Sequence, residues 1–443
     1  MIGIYQDEMG TSLTTEQILA AIDWKRRQNW DIARIRSYYL GCNEAIRSRD
    51  GKHKIPVPFG RKLIKSVLGF MFKQGCISYA FPDDDSSLKS LVNGVYDAND
   101  EETENARVAR DQAQFGRGYE ILYVDNDDGM PQFYHVPAPQ IVPVYSKELK
   151  PRMLAAINFC RWTTKDTKVE VYYNDRIEHF RLKGGELHRE KVVAHRFGEV
   201  PVIEFPNNTE GMGDIESIIS LIDAHDEILS NGLDEDGKYA DALLLLKNIA
   251  LDDDSVSKLR ALRILEMDED GEASYLTKPE TYAGREILRK VIEGLIHSMS
   301  GIPKLDDREA MSQQSGEALK YLYATFEVMV AGDKEIGFTD GLMRRLRLVN
   351  NFLTWMGQSH SSLDGIEVNW KRNLPNESTT IVDNVVKATG IISRRTQVEN
   401  LVTAGLVQEV KQEMDRIAEE KKADVASLID PMGVKDLYGA ETL

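Results

Sequence analysis

The sequence predicts an α+β protein: helices followed by an antiparallel sheet, then a long helical passage interrupted by a small α/β insertion, then a helical end. Three observations carry that expectation. Apolar residues recur at spacings of three and four near the start and again from about residue 215 onward, the period of a helix with one buried face. Between residues 117 and 206 they fall in short strand-like runs, punctuated by Asp125-Asn126-Asp127-Asp128-Gly129 and Asn174-Asp175, the chemistry of hairpin turns. Residues 281–333 read as a helix, a polar loop and a second helix.

With 443 residues the chain is long enough for two or three domains, and 42% hydrophobic with 29% charged residues is a globular composition. No run of about 18 apolar residues occurs, so no membrane-spanning helix is expected. The first residues, Met1-Ile2-Gly3-Ile4-Tyr5-Gln6-Asp7-Glu8, lack the basic-then-apolar pattern of a secretory signal. Cys42, Cys76 and Cys160 are too few and too far apart for a disulfide framework or a zinc knuckle, which points to a reducing compartment. The net charge of −17 is uneven: residues 201–280 hold 20 acidic and 6 basic side chains. Such a segment repels phosphate, because nucleic-acid affinity comes mainly from Lys and Arg displacing counterions. The plainer reading of the same count is a solvated acidic face.

Residues 12–40 form the first expected helix, opened by Thr14-Thr15-Glu16-Gln17, faced by Ile18, Ile22, Trp24, Ile32, Ile35 and Tyr39, and closed at Leu40-Gly41. Ile55-Pro56-Val57-Pro58 is a stiff, extended approach to a helix over 61–74 that turns Leu63, Ile64, Val67, Leu68 and Met71 inward. Residues 76–81 read as a strand. One helix is expected across 88–114, stopped by Gly116-Arg117-Gly118. Strands are expected at 119–124, 132–136, 140–145, 155–162, 168–173, 176–182 and 195–197, and residues 200–208 are expected as a strand that leaves this α+β domain.

Asp214 is expected to cap a helix with Ile215, Ile218, Ile219, Ile222 and Leu229 inward and Glu216, Asp223, Asp226 and Glu227 on the opposite, solvated face. Its second part, 234–247, ends in Leu243-Leu244-Leu245-Leu246. Residues 248–280 read as an insertion with strands at 263–267 and 273–276 about the turn Asp268-Glu269-Asp270-Gly271. In the helix–loop–helix, Leu288, Val291, Leu295 and Met299 make the apolar face of the first helix, and Gly301 and Pro303 stop it. Ser315 caps the second, lined by Leu319, Leu322, Phe326 and Met329. A helix over 341–356, a strand at 366–370, a boundary at Leu374-Pro375-Asn376 and helices over 381–389, 394–404 and 407–423 complete the chain, with the last twenty residues frayed.

No catalytic layout is visible. There is neither a phosphate loop nor a His-Glu-x-x-His pair, and Gly116-x-Gly118 precedes a strand without a third glycine. Glu266-x-Asp268-x-Asp270-Gly271 copies the first half of a calcium loop, but Thr277 stands where the closing carboxylate belongs. His188 and His195 read as ordinary surface or core histidines. Asp252, Asp253 and Asp254 offer a metal site of the kind a nuclease uses, while three acids at a helix start are the plainer account. No metal, no cofactor and no enzymatic activity are expected.

Val200-Pro201-Val202-Ile203-Glu204-Phe205-Pro206-Asn207-Asn208, then Leu221-Ile222-Asp223-Ala224-His225-Asp226 and Ser230, resembles the wing-to-stem passage of siphophage-type bacteriophage portal proteins. Ser300-Gly301-Ile302-Pro303 with Ser315-Gly316-Glu317-Ala318-Leu319-Lys320-Tyr321 resembles that family's tunnel loop and the helix after it. Thr389-Gly390-Ile391-Ile392-Ser393-Arg394-Arg395-Thr396 resembles a crown segment. The three matches come in the family's order and extend over about half the chain. Residues 61–74 with Tyr79 are similar to its opening more loosely, with Gly69-Phe70 where Gly-Tyr is usual.

The resemblance implies a portal-type subunit: an α+β wing over 1–210, stem helices over 211–247 and 281–300, a clip over 248–280, and a tunnel loop over 301–315. A long helix returns to the wing over 316–375, and a crown and tail fill 376–443. It implies a homo-oligomeric ring of about twelve subunits at one capsid vertex, assembled in the host cytoplasm and kept in the virion, through which double-stranded DNA is packaged and ejected. The implied partners are a terminase motor, a head–tail adaptor, and the major capsid and scaffolding proteins, with no membrane. Lys304, Asp306, Asp307, Arg308, Glu309, Gln313 and Gln314 would belong to the tunnel loop, with Gly301, Pro303 and Gly316 as hinges and Lys304 and Arg308 touching phosphate briefly. Asp252, Asp253, Asp254, Glu266, Asp268, Glu269 and Asp270 would be the partner-binding acids of the clip. Twelve copies of −17 bring such a ring near −204 before counterions, a sign that lets a polyanion slide. A conduit also ignores base sequence. The alternatives are a metal-dependent nuclease using residues 252–254, or another ring-forming head–tail connector, a class of shorter chains.

Overall fold

The computed structural model describes residues 4–6, 12–82, 86–125, 129–161, 163, 166–240, 244–247, 272–275, 282–304, 323–359, 362–372, 385–403, 406–407 and 410–429. The chain divides into two compact units, 1–373 and 374–443. In the first unit, strand β1 (Ile4–Gln6) precedes helix α1 (Thr15–Leu40). A complete capping box starts α1: the Thr14 hydroxyl accepts the Gln17 N–H at 3.2 Å, and the Gln17 side chain accepts the Thr14 N–H at 2.9 Å. Gly41, with left-handed backbone, ends it. Helices α2 (Glu44–Arg47) and α3 (Phe59–Met71) follow, α3 burying Leu63, Ile64, Val67 and Met71.

Strand β2 (Ile77–Ala80) leads to α4 (Ser86–Ala98) and α5 (Glu101–Phe115). These replace the single helix expected over 88–114. Asp100 takes a φ of 49°, and Asn99 turns its side chain to the Val95 carbonyl at 2.7 Å and the Phe133 N–H at 3.0 Å. Short polar side chains compete with the helix for backbone groups in just this way.

Strands β3 (Arg117–Val124) and β4 (Pro131–Val136) make the first hairpin. Strands β5 (Ile141–Ser146), β6 (Met153–Arg161), β7 (Asp166–Tyr172), β8 (Arg176–Lys183) and β9 (Glu186–Ala194) then form an antiparallel meander. β1 extends the meander in parallel beside β5. The last strand is β9, not residues 195–197. Nearly all of β9 is exposed, so it lacks the alternation that marks a half-buried strand, whereas His195 is buried with Nε2 2.8 Å from the Tyr173 carbonyl. Strand β10 (Val202–Pro206) joins β3 and β4 in a second sheet. Ile18 and Ile22 of α1 pack with Val142, Ile157, Val169 and Phe180, while Tyr119, Ile141, Tyr172 and Val202 form a core shared by strands of both sheets.

Helix α6 (Ile219–Ala240) stops short of the four-leucine run. Leu244–Lys247 is instead strand β11, paired antiparallel with β12 (Glu272–Tyr275). A short apolar run fits a strand as well as a helix, and here cross-strand pairing decides. The expected strand 263–267 lies outside the described residues. Helix α7 (Tyr282–Ser300) runs antiparallel to α6, with Arg285 near Glu235 and with His297 and His225 both against Phe59.

Helix α8 (Gly332–Trp355) is entered through a wide π-helical turn, Glu327–Ala331. It starts well before residue 341, where the sequence reading begins it, and carries three glycines inside. A Cβ on Gly337 would strike the Pro206 carbonyl oxygen, and one on Gly341 would strike the Phe205 ring. Glycine here serves close approach to β10 and not helix termination. Strand β13 (Glu367–Trp370) returns to pair with β2, and Trp370 Nε1 donates to Thr339 Oγ1 at 2.9 Å. Leu63, Val67, Phe70, Phe205, Phe338, Leu342 and Leu346 share the largest core.

The second unit contains α9 (Arg394–Thr403) and α10 (Val410–Ile429), the latter running past residue 423, where fraying was expected.

Arg345 of α8 is fully buried. Its Nε and Nη2 donate to the two Glu120 oxygens at 2.8 and 2.6 Å, its Nη1 to Glu101 at 3.0 Å, and its Nη2 also to Asn105 at 2.8 Å. Its guanidinium carbon stands 4.4 Å from the Phe133 ring centroid. Burial pushes the Glu120 carboxyl up, and the guanidinium opposes that. Arg345→Met is expected to lower unfolding free energy by about 3–5 kcal/mol, because it strands a buried carboxylate. Adding Glu120→Gln should recover part of the loss. A single-variant loss below about 1 kcal/mol in urea titrations contradicts this.

Candidate functional site

The chain leaves the α+β layer after β10 through a turn built by side chains. Asn207 donates to the Met212 carbonyl and to Asp214, both at 2.8 Å. Asp214 does not cap α6. Its carboxylate receives Lys334 Nζ at 3.1 Å, and the same ammonium bonds Asn207. The helix begins instead with a 3-10 turn, Glu216–Ile218, and Glu216 accepts the Gly213 N–H at 2.8 Å. Lys334 is 1% exposed; burial draws its pKa down while Asp214 draws it up. Exit and return of the chain therefore meet at one buried ion pair.

Asp223, Asp226, Ser230 and Asp234 of α6 follow at spacings of three and four, hence on one face. Asp223 accepts the Tyr38 hydroxyl at 2.9 Å and Asn43 Nδ2 at 3.2 Å. Asp226 accepts the Val57 N–H at 3.1 Å, and Ser230 Oγ the Ile55 N–H at 3.1 Å. Asp234 takes the His53 N–H at 2.8 Å and Arg49 Nη1 at 2.7 Å. The face expected to be solvated is thus the seat of a strap, residues 38–57, and Asp226 is fully buried; Glu227 stays exposed. Burial pushes the Asp226 carboxyl up, whereas the His53 N–H, followed by Arg49 and the His53 ring, draws Asp234 down to about 2.

Among the described residues of α7 the buried positions are Ile292, Ile296 and His297. Leu288, Val291, Leu295 and Met299, the apolar face expected of this helix, are exposed by 49%, 52%, 39% and 56%. Periodicity identified an apolar face correctly, and among the described residues that face is left open to solvent. Between α6 and α7 lies a groove of 240 Å³ lined by Ile228, Leu229, Gly232, Leu233, Arg285, Glu286 and Arg289.

The base of the following loop is held tightly. Gly301 turns with a φ of 66°, His297 Nδ1 lies 2.9 Å from the Ile302 carbonyl, and Ile302 is buried. Lys304, expected to reach phosphate, has its Nζ 2.8 Å from Glu293. Glu293 also pairs with Arg289 at 3.1 Å. Burial acts to raise the Glu293 carboxyl, but Lys304 and Arg289 outweigh it and hold the pKa below the ordinary value.

Asp306, Asp307, Arg308, Glu309, Gln313, Gln314 and Gly316 lie outside the described residues, as do Asp252, Asp253, Asp254, Glu266, Asp268, Glu269 and Asp270. Among the described residues no group of three or more His, Cys, Asp or Glu side chains could hold a metal, and no helix is long and apolar enough to cross a membrane. The sequence reading missed Lys334 and Arg345. Their signal was present: both share a helical face with Phe338 and Leu342, and a cation on an apolar stripe calls for a buried partner.

Residues 20–426 match the family model described as phage portal protein, SPP1 Gp6-like. The portal protein of Clostridium phage phiCD119 is 21% identical over a 457-residue alignment covering 94% of this chain and 98% of that protein. The portal protein of Bacillus phage SPP1 is 24% identical over 372 residues, covering 77% of this chain and 71% of that protein. A chain in the neck of a native GTA particle computed with C12 symmetry aligns with a TM-score of 0.44 at 11% identity, covering 80% of this chain and 91% of that one.

The Lys304–Glu293 pair sets a testable pH response. A depressed carboxyl contributes stability above its unfolded value of about 4.3, and loses it as pH falls through the lower folded value. The loop base should therefore stay latched at neutral pH and loosen only in acid. Glu293→Gln should speed hydrogen exchange at the Ile302 and Lys304 amides about two- to fivefold at pH 7, the range a partly exposed pair supports. Unchanged exchange would show that the pair holds nothing.

Proposed function

The chain belongs to the SPP1 Gp6-like phage portal protein family, and from that membership we propose that it forms the ring-shaped conduit at one capsid vertex through which double-stranded DNA is packaged and later ejected. In this reading residues 1–210 are the wing, α6 and α7 the stem, 248–280 the clip, 301–315 the tunnel loop and 376–443 the crown and tail. The subunit is assembled in the host cytoplasm and remains in the virion. The terminase motor and head–tail adaptor are its partners at the clip, through Asp252, Asp253, Asp254, Glu266, Asp268, Glu269 and Asp270. Major capsid and scaffolding proteins meet it elsewhere.

The observation that carries the ring is the exposed stripe Leu288, Val291, Leu295 and Met299, joined by Ile287. An apolar ridge of this length calls for a partner surface. The α6–α7 groove belongs to the same helix pair, and a ridge on one copy meeting a different surface on the next is a head-to-tail contact, the kind that closes into a ring when the rotation between copies divides a full turn. Lys304 is in this reading a latch, and any contact it makes to phosphate requires release from Glu293. Arg308 remains the loop's cation for brief phosphate contact, with Asp306, Asp307 and Glu309 limiting its strength.

Two outcomes follow. Leu288→Asp with Leu295→Asp should leave subunit stability within about 1 kcal/mol, since both sites are solvent-exposed. The same pair should abolish rings in mass photometry, where wild-type protein gives particles of about twelve subunits. A folded double variant that still forms rings would remove α7 from the interface. Deleting residues 306–313 should leave rings intact and impair packaging of DNA into capsids. Failure of assembly would instead place that loop in a packed contact.

A further inference from the structure

Against its net charge of −17, the chain carries a strongly basic stretch: residues 20–75 hold 13 Lys and Arg against four Asp and Glu. Its densest part is Arg47-Ser48-Arg49-Asp50-Gly51-Lys52-His53-Lys54, the kind of short cationic run that marks polyanion contact. In the structure this run is folded into a rigid knuckle. Lys54 Nζ donates to the Arg47 carbonyl at 2.8 Å, and Arg49 Nη1 to the His53 carbonyl at 2.7 Å. Asp234 of α6 clasps it through Arg49 and His53. Gly51 is part of the clasp, because a Cβ there would collide with the Arg49 guanidinium and the Asp234 carboxylate. Arg49 and His53 are thereby spent inside the fold. Arg47, Lys52 and Lys54 remain exposed, and among the described residues none of the three has a carboxylate partner; Glu44 and Asp50 are the exposed acids nearby.

We propose that the knuckle of residues 47–54, seated on α6, is a contact site for the phosphate backbone of duplex DNA. Three exposed cations on a turn fixed by the Lys54 and Arg49 side chains meet a polyanion with little ordering cost, Lys54 keeping its charge at the surface while it donates to the Arg47 carbonyl. A protein partner is the weaker fit, because binding hot spots need a buried aromatic or apolar anchor, and the run from Arg47 to Lys54 offers none. Repeated around a ring, the knuckle would give an otherwise acidic conduit one cationic level. The inference rests on the reading of this chain as a DNA conduit.

The test uses the full-length protein and a fluorescent duplex of about 30 base pairs, titrated by anisotropy between about 50 and 200 mM salt. Arg47→Ala with Lys52→Ala and Lys54→Ala is expected to weaken binding about tenfold or more at mid-range salt and to reduce the salt slope by about 2.7. The charge-matched control Lys150→Ala with Lys183→Ala and Lys191→Ala, all exposed, should change neither by more than about twofold. Gly51→Ala keeps every charge, opens the clasp, and should weaken binding by a smaller factor. Equal losses in the two triple variants, no loss in the first, or no duplex binding by wild type at the lowest salt overturns the proposal. So does loss of ring mass with duplex affinity retained, which would assign the knuckle to subunit contact. Mass photometry of the same samples separates the two readings: a wild type that binds duplex through the knuckle without forming rings counts against the conduit alone.

Discussion

Lys334 and Arg345 sit about three helical turns apart on α8, so both point from one face. Both are sealed from solvent, and both find carboxylates from the first half of the chain: Asp214 for Lys334, Glu101 and Glu120 for Arg345. A buried cation without its partner is costly enough to decide where a helix lies. This face of α8 is therefore committed to the layer that holds α5, β3 and the turn after β10. Gly337 and Gly341 allow the approach, and Phe205 and Phe338 fill what remains. Everything between Asp214 and Lys334 is an excursion whose two ends are pinned at one point.

The sequence displayed local rules well and partnership poorly. The capping box at Thr14 and Gln17 and the Asn174-Asp175 turn were legible because each is settled by neighbouring residues. The strand pairing of β2 with β13 was not legible, though both strands were, because pairing across the chain leaves no local mark. Leu288, Val291, Leu295 and Met299 were legible as a stripe but not as an exposed one, since spacing cannot tell a core from an interface between copies. The helix expected from residue 341 began too late because the backbone and ring that Gly337 and Gly341 admit lie far away in sequence. β9 was invisible as an exposed edge without alternation.

The electrostatic picture is more structured than the net charge implies. Asp223, Asp226 and Asp234 bind the strap, Asp214 binds Lys334, Glu235 meets Arg285, and Glu286 and Glu293 meet Arg289. Much of the acidity on α6 and α7 is thus matched within the subunit, and Glu227 is left exposed. In the proposed conduit, repulsion of a polyanion by like-signed walls would then depend chiefly on the acids of the insertion, residues 252–254 and 266–270. Net charge over a segment was readable from the chain; which charges remain unmatched was not, because Arg49, Lys304 and Lys334 reach their partners through the fold.

A rotationally averaged electron-microscopy reconstruction of the purified particle tests the central claim most directly. The account predicts a closed ring whose central hole is walled by the α6–α7 pair of every subunit, with the acids of the insertion bordering the passage. A particle that places α6 and α7 on the outer rim, or those acids away from any opening, contradicts it.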